Sequence, residues 1–184
     1  MERIEGIDTV AVTAWLAERI DGLATPLDFE LLAGGHSNLT YRVTDQNGAA
    51  YVLRRPPLGH VLQSAHDMGR EHKIVEALQG STVPVATTVG MCSDVSVNDA
   101  PFYVMNYVAG PVLHDHDAAA ALSAENRADL GLHVIEVLGA LHSINPDDVG
   151  LGDLGRKEAY LAASNEALGY PMGGHKNPRS AGHG

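Results

Sequence analysis

The sequence predicts an α+β fold: a five-stranded antiparallel sheet with one helix crossing it, followed by a long helix. Three observations carry this. Five short runs rich in β-branched and aromatic residues lie between Phe29 and Val108. The first three are separated by a small polar stretch and by an Asn-Gly pair, both suited to hairpins. Segments of helical period precede the first run, separate the third from the fourth, and follow the fifth.

In chain order, Asp8 to Ile20 reads as an amphipathic helix. Val10, Ala14, Ala17 and Ile20 form its stripe, and Val12, Trp15, Leu16 and Arg19 widen it behind an Asp/Thr start signal. After Pro26 come the strands Phe29–Ala33 and Leu39–Thr44, joined by Gly34, Gly35, His36, Ser37 and Asn38. Asn47-Gly48 suits the positive φ angles of a type I′ turn and leads into a third strand, Ala50–Arg54. Pro56 and Pro57 end that strand, and Asp67–Leu78 carries Met68, Ile74, Val75 and Leu78 among charges, as a surface helix does. Val85–Met91 and Pro101–Val108 complete the sheet across a polar turn, Ser93–Asp99. Ser123 can cap a helix running to about Ile144, with Leu130, Val134, Val137, Leu138 and Leu141 as one apolar stripe. From Ala163 onward glycine and proline interrupt any period, which predicts a disordered tail. The expected division is an N-terminal helix (1–25), a sheet-bearing unit (26–108), a linker and helix (109–162) and the tail (163–184).

Composition narrows the function classes. Of 184 residues, 45% are hydrophobic and 19% charged, the balance of a globular protein. Twelve Lys and Arg against 23 Asp and Glu leave a formal net charge of −11, which would repel a phosphate backbone and argues against nucleic-acid binding. A single cysteine, Cys92, supplies no internal disulfide and no thiolate metal framework, and suits a reducing, cytoplasmic setting. No apolar run approaches the roughly 20 residues of a spanning helix, and the N-terminus lacks a signal-peptide pattern, so neither membrane insertion nor secretion is expected. His114, Asp115, His116 and Asp117 alternate imidazole and carboxylate. That spacing shares neither a strand face nor a helix face, so a polar linker is preferred to a metal site.

The segments LLAGGHSNLTYRV, YVLRRPP, REHKIVEAL, FYVMNYVAG and LGALHSINPDDVGLGDLG resemble the aminoglycoside phosphotransferase and choline kinase-like family. The likeness is to the branch related to the kinase-like domain of some acyl-CoA dehydrogenases, and it covers about Asp8 to Leu161. It implies a protein-kinase-like small lobe followed by the first helical part of an incomplete large lobe. It also implies an ATP site. Gly34, Gly35, His36, Ser37 and Asn38 would let backbone N–H groups approach the phosphates, with Ser37 or Asn38 adding a side-chain donor. Alternation places Val52 and Arg54 on one face, Val52 covering the adenine and Arg54 reaching the phosphates where most kinases have lysine. Arg55, beside it, competes for that role. Glu71 would pair with the strand cation; the alternative is a solvated charge paired with Lys73. Met105, Asn106 and Val108 would form the hinge that meets the adenine edge.

The sequence contains no loop of the HGD or HRD type with its following asparagine and magnesium-binding aspartate, and Asp153 in GLGDLG does not replace it. No catalytic residue and no metal ligand are therefore assigned, and a C-terminally truncated lobe is expected. Magnesium would accompany ATP only in an intact relative, and a hydroxyl-bearing small molecule would be a substrate only if a large lobe were supplied. Two further readings stand beside an inactive nucleotide-binding chain. One is a binding or regulatory module with a protein partner on the Leu130, Val134, Leu138 and Leu141 stripe. The other is an active kinase completed by a second chain.

Overall fold

Five strands pair antiparallel in the order β1-β2-β3-β5-β4. They are β1 (Asp28–Ala33), β2 (Leu39–Thr44), β3 (Ala50–Arg55), β4 (Thr88–Cys92) and β5 (Phe102–Asn106). The helices are α1 (Thr9–Ala17), α2 (Met68–Ala77), α3 (Val95–Asn98), α4 (His116–Ala120) and α5 (Ala124–Ser143). This computed structural model describes residues 4–33, 38–59, 67–113 and 116–155. Gly34, Gly35, His36 and Ser37, the pair His114 and Asp115, and the tail from Ala163 lie outside the described residues.

One sheet face makes the core. Leu39, Tyr41 and Val43 of β2 are buried at alternate positions, and Phe29, Leu53, Phe102 and Val104 join them. α1 covers this face through the residues expected to widen its stripe rather than through the central line of Val10, Ala14, Ala17 and Ile20. Val12, Trp15 and Leu16 are the buried residues, while Val10 is 75% exposed. Trp15 meets the Phe102 ring edge-on at 5.0 Å, and Arg19 stacks on the outer side of the indole. Asp8 starts the helix by accepting from the N–H groups of Val10 and Ala11. The helix is shorter than Asp8–Ile20, because Arg19 and Ile20 both turn their N–H groups onto the Leu16 carbonyl and close the last turn.

The hairpin between β2 and β3 differs from the type I′ expectation. Gly48 has φ +85°, but Asn47 is not left-handed, since Asp99 is the one non-glycine residue with positive φ among the described residues. Gly48 N–H donates to the Asp45 carbonyl, so the turn is an ordinary four-residue turn followed by a left-handed glycine. The cause is Asp45, a buried side chain that accepts from the N–H groups of Asn47, Ala49 and Ala24.

β4 and β5 are shorter than the expected runs. β4 begins at Thr88 because its partner β5 ends at Asn106, which leaves Val85 with no strand to pair with. The Ser93–Asp99 turn contains the short helix α3, capped by Asp94. Ser123 caps α5 by accepting from Asn126 N–H, and the helix ends at Ile144. No residue of α5 is buried among the described residues: Leu130, Val134, Leu138 and Leu141 are 38%, 56%, 48% and 40% exposed.

Candidate functional site

The second sheet face carries the polar chemistry. Strand alternation sends Leu53 and Arg55 of β3 toward α1 and Val52 and Arg54 the other way. Register then sets Thr40, Arg54 and Tyr103 in one row across β2, β3 and β5, and Arg42, Val52 and Met105 in the next. α2 lies over the first row. Its start is set by Asp67, whose carboxylate accepts from Arg70 N–H at 3.0 Å, and Glu71 falls in the first turn.

The Glu71 carboxylate collects three donors. Arg54 Nε reaches Oε2 at 3.1 Å, the Tyr103 hydroxyl donates to the same oxygen at 3.2 Å, and Asn38 Nδ2 donates to Oε1 at 2.6 Å. Arg54 Nη1 donates in addition to Thr40 Oγ1 at 3.2 Å. Its Nη2 has no protein acceptor among the described residues. Burial pushes the Tyr103 hydroxyl up to about 12, with the Glu71 charge adding to the rise and the Arg54 charge opposing it. Tyr103 is therefore a fixed neutral donor.

The two adjacent arginines separate cleanly. Arg54 takes Glu71, whereas Arg55 is 5% exposed on the opposite face, donating to the carbonyls of Gly6, Asn98 and Pro56. Burial lowers the Arg55 pKa below its ordinary value. Gly6 has φ +75°, and a Cβ there would meet Leu58 at 3.0 Å and Arg55 at 3.1 Å, so the clamp requires glycine. Lys73 does not compete for Glu71 either. Its Nζ lies 2.7 Å from Asp153 Oδ1, a hydrogen bond that holds the Asp153 carboxyl below the usual carboxylate range.

Of the residues expected at the site, Asn38, Val52, Arg54, Glu71 and Met105 come together on this face, with Asn38 turned onto Glu71. Asn106 closes β5, its N–H bonded to the Thr87 carbonyl, and Val108 beyond it is 71% exposed. Thr40, Tyr103, Arg42 and Tyr107 were not anticipated. A signal for two of them was present: Thr40 and Tyr103 flank Arg54 once the antiparallel register is drawn. His116 and Asp117 begin the exposed helix α4, so the linker expected there is partly helical. Among the described residues no group of three or more His, Cys, Asp or Glu could hold a metal ion, and no helix is long and apolar enough to cross a membrane.

The chain as a whole has known relatives. Residues 28–171 match the Phosphotransferase enzyme family. The chain belongs to that family. Its structure superposes on a Ralstonia eutropha JMP134 protein assigned as an aminoglycoside phosphotransferase with a TM-score of 0.71 and 31% identity, over 88% of this chain and 46% of that one. Acyl-CoA dehydrogenase family member 11 of Gallus gallus is 38% identical over 137 residues, covering 74% of this chain and 17% of the relative. Acyl-CoA dehydrogenase family member 10 of Mus musculus is 32% identical over 138 residues, 74% of this chain and 12% of the relative. This phosphotransferase-family chain thus spans less than a fifth of the length of those curated relatives. The kinase-like small lobe implied by the sequence resemblance, and its branch, are both shown.

Proposed function

We propose that this chain supplies the nucleotide-binding part of an ATP-dependent phosphotransferase. The observation that supports it is the Arg54–Glu71 pair at 3.1 Å between β3 and α2, partly exposed, with Arg54 Nη2 meeting no protein acceptor among the described residues. Phosphoryl transfer depends on positioning and on charge stabilisation of phosphate oxygens. Glu71 orients the guanidinium, Tyr103 and Asn38 hold Glu71, and Arg54 presents a planar donor to phosphate. Met105, half-buried, offers apolar surface to a base, with Val52 buried beside it in register, and the glycine-bearing stretch from Gly34 to Asn38 supplies small residues for phosphate approach.

ATP, when bound, brings the phosphoryl group to be transferred, and Arg54 is the residue of this chain best placed to hold it. The described residues hold no group of three or more His, Cys, Asp or Glu that could bind a metal ion, and the 184 residues contain no HGD-type loop. The catalytic aspartate, the magnesium ligands and the seat of a hydroxyl-bearing acceptor would come from outside them. Alone, this chain binds nucleotide and transfers no phosphate. The buried Cys92 and acidic composition fit a cytoplasmic setting.

Calorimetric titration with ATP tests the reading. Binding that weakens by about tenfold or more in Arg54→Ala is expected. A chain that binds no ATP overturns it and favours the second reading, a non-catalytic partner-binding module, whose supporting observation is the exposed Leu130, Val134, Leu138 and Leu141 face of α5.

A further inference from the structure

Beside the Arg54 row lies a second arginine for which the proposed phosphate chemistry has no use. Arg42 of β2 is in register with Val52 on β3, and Val52 with Met105 on β5. Its guanidinium crosses β3 and lies 4.7 Å from the centre of the Tyr107 ring, at the end of β5 where the hinge begins. Among the described residues no carboxylate pairs with Arg42, although Glu30 stands opposite it in register on β1. Its Nε is buried and has no hydrogen-bond partner. A partly buried cation held by an aromatic face, with a donor left unpaired, is a costly arrangement for a side chain that could extend to water. Such a group calls for an explanation, a strained resting state or a completing water, ion or ligand among them.

We propose that Arg42 is the base-stacking residue of the nucleotide site, an inference that rests on the nucleotide reading above. Arg54 and Arg42 sit two strand positions apart in register, so they mark the phosphate end and the base end of one face. Val52, buried, and Met105, half-buried, share the row of Arg42, so movement of the guanidinium would open them as an apolar floor. In the structure the guanidinium rests on Tyr107. When a purine nucleotide enters, the plane moves from the tyrosine ring to the purine. One cation–π contact replaces another at small cost, and Nε leaves its unpaired, buried position. Arginine suits the task because its planar guanidinium stacks, whereas a lysine ammonium is a point charge. Arg42 thus acts on the base, and Arg54 on the phosphates.

The test compares MgATP with magnesium tripolyphosphate, which has the phosphates and no base. Both are titrated into the unsubstituted chain, Arg42→Met, Arg42→Lys and Tyr107→Leu, with melting temperature as the folding control. Arg42→Met is expected to weaken ATP about tenfold and leave tripolyphosphate within twofold. Arg42→Lys should lose nearly as much, because charge without a plane does not restore the stack. Tyr107→Leu removes only the resting partner and should retain or improve ATP binding, which keeps the proposal testable if an Arg42 variant fails to fold. Equal loss of both ligands in Arg42→Met would reduce Arg42 to a general electrostatic role and overturn the proposal, as would unchanged or tighter ATP binding. A chain that binds neither ligand before any substitution overturns the nucleotide reading and this one together. ATP binding that is insensitive to Arg42 overturns this one alone.

Discussion

Glu71 Oε2 accepts from both Arg54 Nε at 3.1 Å and the Tyr103 hydroxyl at 3.2 Å, so one carboxylate oxygen ties the middle of the sheet to α2. Replacing Glu71 with Ala leaves Arg54, Tyr103 and Asn38 without that acceptor. The expected destabilisation is about 1–3 kcal/mol, toward the lower end because the Arg54 and Glu71 side chains are 28% and 35% exposed. Urea unfolding of Glu71→Ala and Glu71→Gln measures it. Glu71→Gln keeps an acceptor oxygen and should lose less.

Tyr103 carries a pH signature. Its folded-state pKa of about 12 lies above the ordinary value of 10.0, so folding favours the neutral hydroxyl. That contribution is fully present below pH 10 and is lost as pH rises toward 12. Tyr41, also raised by burial, adds to the loss in the same direction. Melting temperature followed from pH 8 to 12 should fall above 10, and Tyr103→Phe should flatten part of the fall, leaving the Tyr41 share.

The two sides of α1 should respond differently. Trp15 is buried against Phe102, and Trp15→Ala is expected to cost about 3–5 kcal/mol. Val10 is 75% exposed, and Val10→Ser should change stability by no more than about 0.5 kcal/mol. Chemical denaturation of both variants decides whether the helix docks through the Trp15 face. Equal losses would restore the stripe expected from sequence.

α5 offers the opposite contrast. Leu130 and Leu138 are 38% and 48% exposed, so Leu130→Ser combined with Leu138→Ser should leave the cooperative melt of the sheet within about 0.5 kcal/mol of the unsubstituted chain. A larger loss, read by thermal unfolding, would mean that the face is covered in solution.

The errors and successes of sequence reading have separate physical origins. Strands and α5 were legible because alternation and the Ser123 cap are local signals. The docking face of α1 was not, because Val10, Val12, Ala14, Trp15, Leu16 and Ala17 are apolar around most of the helix. Periodicity then cannot choose a side, and the bulk of Trp15 and Leu16 does. The Asn47-Gly48 turn departs from type I′ because a carboxylate two residues earlier, Asp45, accepts from the turn N–H groups of Asn47 and Ala49. At the site, alternation in β3 was enough to bring Val52 and Arg54 to one face. Asn38 and Tyr103, separated from Glu71 by 33 and 32 residues, meet it only after the sheet and α2 have formed.

The adjacent pair Arg54 and Arg55 fastens β3 from both sides, one guanidinium gripping the helix above and its neighbour gripping carbonyls below. A strand riveted in this way cannot slide by one residue without tearing out both anchors and exchanging every inward side chain for an outward one. β3 should therefore be the slowest segment of the chain to exchange its amide hydrogens. The two arginines, alike in charge, then serve as a gauge of alignment for the whole sheet.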